Sequence, residues 1–329
     1  MRNVHLTLAM SDYDHIRDLT SGAIQAEGIE LTYLNLSVEE IFWRFSKFRE
    51  WDVSEMSMGQ YVGLVSQGDS SLTAIPVFPS RIFRHSAFYV RRDGRVKTPQ
   101  DLAGRRVGIP QWSQTAGIYA RGALMHQYRI RLQDVLWYQT GVNEPGRLEP
   151  VELKLPAGVR ITSVPDKSLN EMLLAGEIDA IITAHPPDAV KQRRPEVARL
   201  FPDFLSVEAA YWRETRIFPI MHTVVIRRDT MSAHPWIAMN LFKAFEEAKR
   251  GSVARALDII APRFPVPWVF EHAARARELF GDDFWPYGIE PNRPTLEAFL
   301  RFAHEQGVCH RPVAVDELFP PELKSVFKV

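Results

Sequence analysis

Cysteine is almost absent. Cys309 stands alone in 329 residues, so no intramolecular disulfide framework can form. That usage suits a reducing compartment. An excess of charge of one sign is also missing. Forty Lys and Arg balance forty Asp and Glu, which removes any bulk attraction to nucleic acid or an anionic membrane and leaves room only for a local basic pocket. No run approaches the ~18 apolar residues of a membrane span. The N-terminal stretch Val4–Ala9 alternates like a strand and turns polar at Ser11-Asp12-Tyr13-Asp14, too short and interrupted for a signal-peptide core. The expected location is the cytoplasm. Neither a Gly-x-Ser-x-Gly elbow nor His-Glu-x-x-His, a P-loop or Gly-x-Gly-x-x-Gly occurs, so nucleotide-dependent chemistry and serine hydrolysis rank low.

What is present reads as a globular α/β chain. Hydrophobic residues make up 46% and charged residues 24%, a globular mix, and the length suits two lobes. Strand-like runs at Val4–Ala9, Ile29–Leu36, Trp51–Met56 and Leu72–Phe78 alternate with helical stretches. Ser37 and Glu40 form a capping box ahead of Val38, Ile41, Phe42, Phe45 and Phe48 at helical spacing. This order predicts an open, largely parallel sheet with helical crossovers. A second such unit opens with Thr98-Pro99-Gln100-Asp101 and continues through Arg106–Pro110, a helix after Gln111–Thr115, a capped helix from Ser168 and a strand at Ile178–Ile182. The rest is mostly helical, at His234–Arg250, Val269–Phe280 and Leu296–Gln306. Long extended runs near residues 83–92 and 218–227 are the natural crossings between lobes. Residues 1–87 and 223–329 then form a discontinuous lobe one, with 88–222 inserted as lobe two.

The phrases Asp101-Leu102-Ala103-Gly104-Arg105-Arg106-Val107-Gly108 and Leu174-Ala175-Gly176-Glu177-Ile178-Asp179-Ala180 resemble those of type II periplasmic-binding-protein folds. A narrower resemblance, to the 4,5-dihydroxyphthalate decarboxylase family, rests on Ile75-Pro76-Val77-Phe78-Pro79-Ser80-Arg81-Ile82-Phe83-Arg84-His85-Ser86, Glu144-Pro145-Gly146-Arg147, Arg216-Ile217-Phe218-Pro219-Ile220-Met221-His222 and Asp283-Phe284-Trp285-Pro286-Tyr287-Gly288. It implies a two-lobed fold with a ligand cleft, and cofactor-independent decarboxylation of a hydroxylated aromatic dicarboxylate. The best match is 4,5-dihydroxyphthalate going to protocatechuate and carbon dioxide. Thr183-Ala184-His185-Pro186-Pro187 fills a ligand-loop position expected to vary among relatives. A non-catalytic solute-binding protein or cytoplasmic sensor for a small aromatic carboxylate is the alternative.

Ligands in open α/β sheets bind beyond the carboxyl ends of strands, at switch points. That rule selects Met10–Tyr13 with Asp12, Ser54–Ser57 with Glu55 and Ser57, Pro79–His85, Gln111–Thr115, Thr183–Pro187 and the turn at Glu144–Arg147. Arg81 and Arg84 are expected to clamp carboxylates through their guanidinium forks, the plain alternative being loop caps; Arg147 is a third candidate. Ser113 and Thr115 precede a helix and either cap it or hold a carboxylate. His85 and His222, one on each crossing, are expected to converge on the cleft floor as acid or base. Glu55 is the other proton donor, if burial raises its pKa. His185 is a substrate contact or a solvated loop residue. A divalent metal on His85, His222 and Glu55 fits by ligand type but lacks close spacing. Oligomeric state stays open, because Trp268, Trp285 and Phe319 serve equally as subunit contacts or internal packing.

Overall fold

The computed structural model describes residues 3–324. Eleven strands form two sheets: β1 (Val4–Met10), β2 (Ile29–Asn35), β3 (Val53–Ser57), β4 (Leu72–Ile75), β5 (Phe88–Arg91), β6 (Arg106–Ile109), β7 (Leu136–Gln139), β8 (Ile161–Ser163), β9 (Ala180–Ile182), β10 (Val197–Arg199) and β11 (His222–Arg227). The first sheet has the order β2-β1-β3-β11-β4 and the second β10-β5-β9-β6-β7-β8. Strands β1, β2 and β3 are parallel, as are β6, β7, β8 and β9. Strand β11 runs antiparallel between β3 and β4. The chain leaves the first sheet after β4, builds the second, and returns to the middle of the first.

Capping explains several helix starts. The Ser37 hydroxyl accepts from Glu40 N at 3.3 Å to open Val38–Phe48, and Ser168 with Glu171 forms a reciprocal box. Gly108 sits where a Cβ would meet Leu169 at 2.6 Å and Ile178 at 2.8 Å, so the glycine lets β6 lie close under its helix.

Half of the two extended runs turns out to be sheet, because β5 and β11 occupy their later parts. The passage between lobes is shorter. Arg81 and Ile220 form an isolated antiparallel bridge, Ile82 N donates to Pro219 O at 3.2 Å, and Met221 N donates to Ser80 O at 2.8 Å. The two crossing segments therefore pair with each other and make one double-stranded hinge.

The C-terminal part does not belong to one lobe alone. The helix Arg293–Glu305 packs on Thr115–His126 of the inserted lobe as well as on Met58–Ser66. Trp112 Nε1 donates to Gln306 O at 2.7 Å and Lys154 N to Gly307 O at 2.8 Å. Periodicity marks this helix as amphipathic but does not say which lobe its apolar stripe meets. Of the three aromatics left open above, Phe319 is buried against Phe78 and Trp285 Nε1 donates to Phe78 O at 3.2 Å, whereas Trp268 is exposed. No helix among the described residues is long and apolar enough to cross a membrane.

Candidate functional site

Strands β1 and β3 end, and β11 begins, at the same edge of the first sheet. Register then fixes the chemistry. His222 lies opposite Ser57, and Glu55 lies opposite Val224, so His222 and Glu55 are diagonal neighbours on one face. His222 Nδ1 lies 2.6 Å from Glu55 Oε1. Tyr13, in the loop after β1, donates its hydroxyl to the same oxygen at 2.6 Å, and Ser11 N donates to Oε2 at 3.0 Å. Glu55 is fully buried, and a buried carboxylate is tolerable only with such partners. Burial alone would raise its pKa. The bonds from His222, Ser11 and Tyr13 outweigh that and hold it below the usual carboxylate range. The expectation that burial raises it, making Glu55 the proton donor, is thereby reversed: Glu55 is an anion that accepts.

An ionised Glu55 requires His222 to carry a proton on Nδ1, which leaves Nε2 for the cleft. Phe42 meets the His222 ring edge-on at 4.9 Å between centroids. Burial and the adjacent Glu55 push the Tyr13 hydroxyl far above its ordinary pKa, so it stays a donor. Because the folded pKa of Glu55 lies below its unfolded value, the group stabilises the fold above the ordinary carboxylate range. That contribution is lost as pH falls through the depressed value. Urea midpoints measured from pH 7 downward should therefore fall less steeply for Glu55→Gln than for the wild type, though the variant starts lower. Parallel curves would contradict this.

Between the lobes lies a cavity of about 1130 Å³, open to solvent and lined from both sides. Tyr13, Phe42, Ser57, Arg84, Ser113, Thr115, Arg147, His185 and His222 all face it. The Ser57 and Thr115 hydroxyls bond across the lobes at 2.9 Å, and Thr115 Oγ1 also accepts from Gly59 N at 2.9 Å. Arg84 is partly buried, and among the described residues its side chain bonds only Met221 Sδ, at 3.1 Å. Burial pushes its guanidinium down to about 10, still cationic at neutral pH, with no carboxylate in salt-bridge contact among the described residues. Arg147 is exposed on the rim. His185 pairs with Glu39 at 2.9 Å across the cleft mouth, and the hydrogen bond holds the Glu39 carboxyl down to about 2.

Three expected site residues lie elsewhere. His85 is 3% exposed, packed among Tyr128, Phe201 and Tyr211, and bonded to Gln127 Oε1 at 2.8 Å. A short 3-10 turn over His85–Ala87 rotates it away from the sheet edge that carries His222. It borders a water-sized void beside Arg84 and Tyr119. Alanine there should lower stability by about 2–4 kcal/mol through the cavity it leaves and leave kcat unchanged. A collapse in kcat without loss of melting temperature would return His85 to the mechanism. Arg81 donates to Phe218 O at 2.9 Å and Pro286 O at 3.0 Å and lies over the Phe218 ring, so it fastens the hinge to the C-terminal region and does not face the cleft. Asp12 is exposed and does not line the cavity, its neighbour Tyr13 turning inward instead. The metal set of His85, His222 and Glu55 is likewise not assembled, since His85 stands apart. Among the described residues no three His, Cys, Asp or Glu side chains group to hold an ion.

Tyr13, Phe42, Lys47 and Glu149 also face the cavity and had escaped sequence reasoning. The loop rule selects the segment holding Tyr13 but does not say that Tyr13, and not Asp12, turns inward. Phe42 reads as one more apolar position of an amphipathic helix.

No family model matches the chain. Among solved structures it resembles the periplasmic aliphatic sulphonate binding protein SsuA from Escherichia coli, with a TM-score of 0.56, 11% identity and coverage of 97% of this chain and 98% of that one. It also resembles the desulfurization enzyme DSZB, with a TM-score of 0.52, 16% identity and 98% coverage of both. These likenesses show a two-lobed fold of the periplasmic-binding-protein kind, which both binders and enzymes use and which does not decide function. Sequence relatives go further. A 4,5-dihydroxyphthalate decarboxylase from Pseudomonas putida is 35% identical over 214 residues, covering 65% of this chain and 83% of that protein. A 4,5-dihydroxyphthalate decarboxylase from Comamonas testosteroni is 35% identical over 330 residues, 100% of both chains. With a relative of that identity matched from end to end, the chain belongs to the 4,5-dihydroxyphthalate decarboxylase family.

Proposed function

We propose that this protein removes one carboxyl group from 4,5-dihydroxyphthalate without a cofactor, giving protocatechuate and carbon dioxide. The observation that carries the reading is the Glu55–His222 pair on the cleft wall: a buried carboxylate on Nδ1 of an imidazole that lines the cavity.

Loss of carbon dioxide directly from an aromatic ring would leave an aryl carbanion in the ring plane, unstabilised by the ring. Protonating the carbon that bears the carboxylate first avoids this, and the hydroxyl para to it feeds electrons into the ring. In this scheme His222 Nε2 delivers that proton and Glu55 stabilises the imidazolium that gives it. The C–C bond then breaks, its electron pair restores aromaticity, and carbon dioxide leaves. One proton enters for each carbon dioxide lost. Arg84 holds the retained carboxylate, and that remote binding orients the leaving group. Phe42 supplies an apolar wall beside His222, which suits an aromatic ring.

Incubating the purified chain with 4,5-dihydroxyphthalate should release protocatechuate and carbon dioxide in equal amounts, and chelator treatment should leave the rate unchanged. Tight binding with no turnover across hydroxylated phthalates would make the protein a binder instead. Loss of turnover on chelation, restored by added metal, would overturn the cofactor-free step.

A further inference from the structure

Glu149 is held in an unusual way for a residue on an exposed turn. Its flanking residues Glu144–Leu148 and Pro150 are all exposed, Leu148 at 87%. Yet its carboxylate reaches into the cleft wall, where Oε2 accepts from Ser113 N at 3.1 Å and Ser113 Oγ at 2.6 Å, and Oε1 accepts from Trp112 N. Two successive backbone amides and a hydroxyl thus cradle one carboxylate just ahead of the helix Thr115–His126.

A second feature lies behind the same loop, on the far side of the Trp112–Ser113 peptide. Arg121 is fully buried, with Nη2 on Trp112 O, Nε on Gln306 Oε1 at 2.8 Å, and Nη1 without a partner among the described residues. Its guanidinium is pressed against the loop that forms the cradle, and it covers the Trp112 ring at 4.0 Å. Burial pushes it down to about 9, with Glu149 the charge that acts against this. No carboxylate touches it among the described residues. A buried cation without a contacting counterion favours a negative charge nearby, and Glu149 supplies one from an exposed turn tied down by Gln111 Nε2 on Leu148 O and by Gly146 N on Thr140 Oγ1 at 3.2 Å. The cradle opens on the same cavity as His222 and Arg84. Thr115, two residues on, bonds Ser57, the cross-strand partner of His222.

We propose that the Trp112 and Ser113 amides with the Ser113 hydroxyl, backed by Arg121, form a carboxylate-binding site of the cleft, which Glu149 fills in the ligand-free protein and yields to a carboxylate of the ligand. The identity of that ligand as an aromatic dicarboxylate rests on the decarboxylase reading. Glu149 is then an internal competitor. It lowers apparent affinity by the fraction of molecules in which the cradle is already occupied, and about tenfold is expected when that fraction is nine in ten.

Phthalate, which lacks the hydroxyls and cannot follow the reaction, is the probe. Calorimetric titration should give about tenfold tighter phthalate binding to Glu149→Gln than to the wild type, and adding Ser113→Ala to that variant should abolish the gain. Equal or weaker binding to a Glu149→Gln protein of unchanged melting temperature would overturn the proposal, as would no binding to either protein. If that variant does not fold, the wild-type crystal structure with phthalate decides. A ligand carboxylate on the Trp112 and Ser113 amides with Glu149 displaced is expected; Glu149 still in place overturns the proposal. The two readings fail separately. Displacement of Glu149 by phthalate without carbon dioxide release from 4,5-dihydroxyphthalate removes the decarboxylase and keeps the cradle. Carbon dioxide release with Glu149 still seated does the reverse.

Discussion

Replacing His222 by alanine lowers kcat for carbon dioxide release by about 10²–10⁴-fold, the usual contribution of a positioned general acid, while KM moves far less. The imidazole lines the cleft and, among the described residues, its ring bonds only Glu55, so on the proposed scheme truncation removes the proton donor and leaves the binding groups in place. Glu55→Gln should cost a comparable factor by a different route. An amide can present its NH₂ to His222 as readily as its oxygen, so the tautomer is no longer fixed, and it cannot stabilise an imidazolium. Because the amide has one oxygen where the carboxylate has two, one of Tyr13 and Ser11 also loses its acceptor, and this variant should be less stable as well, which His222→Ala need not be. Steady-state kinetics of both variants beside their melting temperatures separate the roles. Undiminished kcat in His222→Ala would remove it from the chemistry.

Arg84→Met weakens substrate binding by about 100-fold in KM, since truncating one partner of a desolvated charge pair costs about 2–5 kcal/mol. Methionine keeps the length and apolar stem but removes the charge. Among the described residues Arg84 has only a thioether as a side-chain hydrogen-bond partner, so the loss should appear with ligand and not in folding. Arg81→Met provides the contrast. Its guanidinium is bonded to two main-chain carbonyls, and its loss strands those carbonyls in a buried site. It should reduce thermal stability and change KM only through that. A fall in KM-governed activity for Arg81→Met with none for Arg84→Met would reverse the assignment.

Much of the fold was legible because the relevant signals are local. Capping residues Ser37, Ser168 and Thr98 each open an observed helix or 3-10 turn, and Gly104, Gly176 and Gly68 take the positive φ that ends elements. The return of β11 into the first sheet follows from a second long extended run. What escaped depends on contacts far apart in sequence. Whether His85 or His222 faces the cleft is decided by strand register and by one 3-10 turn, and a single-residue change of phase sends a side chain to the opposite face. The helix Arg293–Glu305 carries an apolar stripe that fits either lobe equally by periodicity. Glu149 reaches residues 36 and 37 positions away, and nothing in the turn Glu144–Arg147 announces it. The loop after β1 is legible as a ligand loop, but which of Asp12 and Tyr13 turns inward is set by the buried Glu55, 42 positions from Tyr13. The Glu55 carboxylate needed a donor rather than another anion.

The central claim is that the Glu55–His222 pair drives decarboxylation in this cleft. Carbon dioxide and protocatechuate released from 4,5-dihydroxyphthalate, followed together for the wild type and His222→Ala at equal protein and saturating substrate, test it most directly. Equal, sustained release of both products by the wild type and its near loss in a folded His222→Ala protein are predicted. No release by the wild type, or the same release by both proteins, would contradict it.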